Sequence, residues 1–146
     1  MSISFERSGA APIGNVEDCK VLLVGFPAIL AGEMIEIMSA AGLEAMDTKS
    51  SVDAARLCAS TRYDFVLLEI DGVDLFAPTF VANLTSGDSP SKNSTIVAFG
   101  GYFMPAFKDR LVECGVDGIY TLPIDADNLV AFLADLSCQS ANSSLP

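Results

Sequence analysis

Histidine is absent from all 146 residues of this chain. Ser-His-Asp and Cys-His nucleophile systems need an imidazole to take and return a proton, so both are excluded, as is a phosphohistidine carrier. Cysteine is sparse: Cys19, Cys58, Cys114 and Cys138, none in a C-x-x-C pair. A structural zinc site wants clustered Cys or His ligands, so no metal and no cofactor is expected. Three of the four cysteines are expected on apolar faces or strand edges, and Cys138 in an exposed segment. Long apolar runs are missing too. The stretch from Val21 to Ala31 is broken by Gly25 and Pro27 and falls short of the roughly 18 residues a membrane span needs. Positions 1–18 show no basic segment leading into an apolar one, so no secretory signal is read and a cytoplasmic protein is expected. Positive charge is scarce, with 8 Lys and Arg against 19 Asp and Glu and a formal net charge of −11. That field repels a phosphate backbone and argues against nucleic-acid partners.

What is present is apolar and ordered in pattern. Apolar residues make up 51% of the chain, enough for one domain with a buried core. Positions 1–18 read as a loose leader, 19–136 as the domain, and the Ser/Asn-rich 137–146 as a disordered tail. Cys19–Val24 is continuous and branched, as a strand buried on both faces should be. Next comes a helix from about Pro27, with Leu30, Met34, Ile37, Met38 and Ala41 on one face and Gly42 as its stop. Leu43–Asp47 is a short strand, and Ser51 is expected to cap a helix reaching Ser60 with Val52, Ala55 and Ala59 inward. Phe65–Ile70 is the most apolar strand. A helix over about 75–86 carries Phe76, Phe80 and Leu84, and Gly87 to Ser91 is a loop. Ile96–Phe99 and Ile119–Thr121 are strands. Met104, Phe107, Leu111 and Cys114 mark a helix between them, and Leu129, Phe132, Leu133 and Leu136 mark a last one from about Asp125. Five β-α units in sequence imply a parallel sheet covered on both faces.

The segments 20–24, 63–69, 94–99 and 115–123 together resemble a response-regulator receiver domain of the CheY-like kind. The resemblance implies a flavodoxin-like five-stranded sheet in the order 2-1-3-4-5, with any site at the carboxyl ends of strands 1 and 3. It also implies what ought to stand there. Receivers carry an acidic pair after strand 1, an Asp that is phosphorylated at the end of strand 3, Thr or Ser after strand 4, and Lys before a Pro after strand 5. Here those positions hold Gly25 and Phe26, Glu69, Gly100, and Leu122 before Pro123. The Leu122-Pro123 peptide is expected to be cis, as in the family.

These changes remove the chemistry piece by piece. Receiver phosphorylation uses a divalent cation held by carboxylates, an Asp nucleophile, and a Lys and a hydroxyl that hold the product. Gly25 and Phe26 offer the cation no anionic oxygen. Glu69 is one methylene too long, and misplacement of that size alone costs on the order of 10²-fold in rate. Leu122 and Gly100 withdraw the countercharge and the hydroxyl. No catalytic residue is expected, and the chain reads as a degenerate pseudo-receiver. The family's aromatic switch position is occupied by Ile119, and Tyr120 next to it faces the other side by strand alternation. Gly100 and Gly101 lack the G-x-G-x-x-G spacing of a phosphate loop.

Three functions compete. The favoured one is a phosphorylation-independent protein-interaction module of bacterial signalling, whose partner is a histidine kinase, another receiver, a regulatory protein or a second copy of itself. Tyr102, Phe103, Met104, Ile119 and Tyr120 are its candidate interaction surface. The second is small-molecule sensing in the vacated pocket. The third is slow phosphorylation at Glu69 or at Asp71, with Glu69 as a standing mimic of the phosphorylated state a related possibility.

Overall fold

The computed structural model describes residues 19–70, 77–87 and 90–143, with the side chains of 77 and of 137–143 excluded. The leader 1–18, Asp71 and Phe76 lie outside the described residues. Five strands and five helices alternate: β1 Lys20–Val24, α1 Ala28–Ala40, β2 Glu44–Thr48, α2 Ser51–Ser60, β3 Phe65–Glu69, α3 Ala77–Ser86, β4 Thr95–Gly100, α4 Pro105–Cys114, β5 Gly118–Thr121 and α5 Ala126–Ser143. All neighbouring strands pair in parallel, in the order β2-β1-β3-β4-β5. This is the flavodoxin-like arrangement that the sequence resemblance implied.

The helix layers follow from that order. The chain steps one way from β1 to β2 and the other way from β2 through β5. Right-handed crossovers therefore put α1 on one face and α2, α3 and α4 on the other. Strand alternation divides the core accordingly. Leu22, Val24, Val66, Leu68, Ile96 and Ala98 meet α2, α3 and α4. Val21, Leu23, Phe65, Leu67, Val97 and Phe99 meet α1 and α5. Ile119 packs on the first cluster and Tyr120 on the second, as alternation predicts.

Two aspartates set the register at the amino ends. Asp64, just before β3, donates its N–H to the Lys20 carbonyl (2.8 Å) and accepts the Lys20 N–H (2.9 Å). Asp117, just before β5, does the same with Ile96 at 2.7 and 2.8 Å. Each aspartate closes a ladder that would otherwise end in open backbone groups.

Three expectations need correction. Ser50, not Ser51, caps α2: its hydroxyl accepts the N–H groups of Val52 and Asp53 at 3.0 and 3.2 Å. The helix frame shifts with it, so Ser51, Ala54 and Cys58 face inward while Val52 is 60% exposed and Ala55 and Ala59 lie outside. In α1 the buried line is Ala31, Met34 and Met38, with Leu30, Ile37 and Ala41 at its margin. Finally, α5 does not stop at Leu136 but runs on to Ser143. No Gly or Pro interrupts 137–143, and each residue added to a formed helix gains a hydrogen bond. Among the described residues no helix is long and apolar enough to cross a membrane.

Candidate functional site

The carboxyl end of the sheet is closed by aromatic rings. β1 runs directly into Gly25, whose φ of 82° lies in the left-handed region and whose N–H donates to the Thr48 carbonyl at 2.9 Å. A side chain bearing a carboxylate is strained in that conformation. The turn drops Phe26 into the α1/α5 core, where it is fully buried and meets Phe99 edge-on at 5.4 Å and 75°. Phe99 stands in register with Glu69 on β3 and with Tyr120 on β5. Tyr120 stacks on Phe99 at 5.0 Å and 21°, and Phe132 of α5 meets Tyr120 at 5.3 Å and 80°. Four rings thus run in a row from the end of β1 to α5.

A fifth ring, that of Phe103, lies on the opposite face. A Cβ placed on Gly100 would lie 3.0 Å from Phe103 Cζ and 3.3 Å from its Cε2. The Phe103 ring therefore occupies the space a side chain at position 100 would use. It is buried against the α2–α4 core. Gly100 is a condition for that packing rather than only a lost hydroxyl. The Gly100 carbonyl accepts the Leu122 N–H at 2.8 Å, and the Leu122-Pro123 peptide is cis. Leu122 packs, half-buried, against the α1/α5 core.

The cation at this end comes from an unexpected place. Lys49, in the turn after β2, puts its Nζ 2.6 Å from the Phe26 carbonyl and 3.2 Å from Asp47 Oδ2. Its position says little in isolation, because the reach depends on β2 lying beside β1. Lys49→Met is expected to cost about 1 kcal/mol by leaving that carbonyl without its charged donor. Urea denaturation of the variant measures the loss. The same contact bears on metal binding. A hard divalent cation needs several oxygen ligands. Gly25 and Phe26 contribute no side-chain oxygen, and the Phe26 carbonyl already holds an ammonium. The end of β1 does not fit such an ion. Among the described residues no group of three or more acidic or thiol side chains is placed to hold one either.

Glu69 ends β3 as a buried carboxylate, 7% exposed. The expected interaction surface is split. Tyr102 and Met104 are 78% and 63% exposed, but Phe103 between them points inward. Strand-like alternation in the β4–α4 connection explains the division: burying the central residue turns its neighbours out. Ile119 and Tyr120 are half-buried on opposite faces of β5, so the five residues form no single patch.

Cys58, Tyr63, Cys114 and Asp117 all titrate above their ordinary values, and burial is the main cause for each. A hydrogen bond with Ser91 partly offsets this for Cys58, and the Ile96 N–H does so for Asp117. Tyr63 and Asp117 directly precede β3 and β5, and Cys58 and Cys114 lie in the last turns of α2 and α4, the helices that lead into those strands. Their shifts follow from packing beneath strand starts, at the end of the sheet away from the position of Glu69.

No protein-family model matches the chain, and no curated protein matches it. Solved structures do. A receiver domain (CheY-like) from Methanospirillum hungatei JF-1 superposes with a TM-score of 0.78 at 11% identity, covering 88% of this chain and 100% of that one. A receiver domain (CheY-like) from Methylobacillus flagellatus gives 0.70 at 22%, covering 82% and 99%. The receiver domain of the sensor histidine kinase PA1611 from Pseudomonas aeruginosa PAO1 gives 0.72 at 14%, covering 82% and 98%. It carries a magnesium ion coordinated in its active site cleft. The fold of this chain is that of CheY-like receiver domains.

Proposed function

We propose that this chain is a pseudo-receiver: a signal-transduction module of the cytoplasm that binds other proteins and does not accept a phosphoryl group. One observation carries the reading. Phe26 and Phe103 fill, from the two faces, the end of the sheet where a receiver would hold its cation and phosphoryl group. Lys49 on the Phe26 carbonyl adds a positive charge at the end of β1, the segment that carries the acidic pair in receivers. Electrostatic stabilisation supplies most of the catalysis of phosphoryl transfer, and here its parts are replaced by apolar bulk. A module without that chemistry acts through its surface, and Tyr102 and Met104 are exposed beside the closed end as contact points. A histidine kinase, a second receiver, a regulatory protein or another copy of the chain fits as partner.

The test is exposure of the isotope-labelled protein to magnesium with acetyl phosphate, and separately with beryllofluoride. Intact-mass analysis is expected to find no phosphoryl adduct, and amide spectra are expected to stay unchanged at the ends of β1, β3 and β4. An adduct mapped to Glu69 or Asp71 would overturn the reading.

A further inference from the structure

Among the described residues, charge is distributed one-sidedly. After Arg110 the sequence holds no Lys or Arg, while Glu113, Asp117, Asp125, Asp127 and Asp135 follow. Helix α1 adds Glu33 and Glu36 and no base. Glu113 lies on α4 and Asp117 before β5; the charged residues of α1 and α5 are thus Glu33, Glu36, Asp127 and Asp135, with Asp125 just before α5, and no described base lies among them. The described bases lie elsewhere: at the start of β1, in the β2–α2 turn, on α2, before β3 and β4, and on α4. Lys49, Arg56 and Arg62 are each paired with an aspartate of their own segment.

Within the anionic layer a groove of about 450 Å³ opens between β5 and α5. β5 is an edge strand of the sheet, and among the described residues no further strand covers it. Tyr120 and Phe132 line it as an edge-to-face pair, both half-buried, and Tyr120 also stacks on Phe99. Asp125 stands at one end. Its Oδ1 accepts the N–H groups of Asp127 and Asn128 at 3.0 and 3.3 Å, and its own N–H donates to the Tyr120 hydroxyl at 3.3 Å. Asp135 lines the groove ten residues further along α5, about 15 Å away at the helical rise. The groove thus combines aromatic surface with carboxylates at a rigid spacing and contains no cation of its own.

We propose that this groove receives an arginine side chain from a basic segment of a partner protein, with the acidic α1/α5 layer taking the segment's other cations. The inference rests on the interaction-module reading and names the chemistry of the partner. A guanidinium suits the site better than an ammonium, because it is planar, stacks on aromatic rings and bonds carboxylates through a fork. The −11 net charge would draw such a segment in and repel an acidic one.

The probe is N-acetyl-arginine amide, titrated into the isotope-labelled full chain beside its uncharged isostere N-acetyl-citrulline amide. The arginine probe is expected to shift the amides of Thr121, Asn128 and Ala131 saturably, and the citrulline probe to bind several-fold more weakly. Asp135→Asn, an exposed substitution outside the core, is expected to weaken the arginine probe about two- to five-fold. Phe132→Leu is expected to weaken it by about the same factor, with spectra away from the groove confirming the fold. Equal binding of the two probes, indifference to Asp135→Asn, or shifts spread evenly over Glu33, Glu36 and Asp127 would overturn the groove as an arginine site. Such a failure with no phosphoryl adduct leaves the pseudo-receiver reading standing. An adduct sinks that reading however the groove behaves.

Discussion

Phe26→Ala is expected to destabilise the domain by about 3–5 kcal/mol, the usual cost of emptying a buried phenyl site. Phe26→Asp, which restores a receiver-like acid, should cost more, because the carboxylate would enter a fully apolar site without a partner. Natural domains hold only about 5–15 kcal/mol in reserve, so the Asp variant should be largely unfolded at room temperature. Urea melts followed by circular dichroism decide this. A Phe26→Asp protein with near-normal stability would mean that the ring is dispensable and that the end of β1 can open. The Ala variant separates loss of packing from burial of charge.

The Gly100–Phe103 pair makes the second large effect. Gly100→Thr, the residue type that receivers carry there, places a Cβ 3.0 Å from the ring. Overpacking of this kind costs about 1–3 kcal/mol. The penalty should nearly vanish in a Phe103→Ala background, since the clash partner is gone. A coupling energy of about 1 kcal/mol or more in the double-mutant cycle is the expected result. Additive effects would show that Phe103 does not depend on the bare glycine. Hydrogen exchange in the β4–α4 connection should also quicken in Gly100→Thr, because the buried ring anchors the exposed Tyr102 and Met104.

Both predictions invert the usual reading of a degenerate site. A receiver-type residue at either position is expected to destabilise the protein, since the neighbouring rings pack into the space it would need. Gly25 belongs to the same logic: its left-handed turn delivers Phe26 to the core, and an acidic residue there would be strained as well as misplaced. The end of the sheet has become an extension of the hydrophobic core.

Much of this was legible along the chain, and the limits have definite causes. Strands 1 and 3 announced themselves because burial on both faces leaves an uninterrupted apolar run. The departures from the receiver pattern were readable because they are matters of residue identity at five positions, Gly25, Phe26, Glu69, Gly100 and Leu122, and not of exact placement. The inward face of α2 lies one residue away from where the apolar pattern places it, because Ser50 and Ser51 are equally good caps and only the folded backbone chooses between them. Phe103 and Met104 were indistinguishable for a similar reason: both are large and apolar, and burial of one excludes the other.

Local pattern and side-chain chemistry therefore dictated the element order, the covered parallel sheet and the missing cation ligands, since each arises from a few neighbouring residues. The tertiary structure alone decided that Lys49 reaches the Phe26 carbonyl, that Phe103 needs Gly100, and that Tyr120 lies between Phe99 and Phe132 beside an acidic groove. The β1–β2 and β4–β5 pairings join residues about twenty positions apart or more, and the side-chain partners they create have no signature in either segment read by itself.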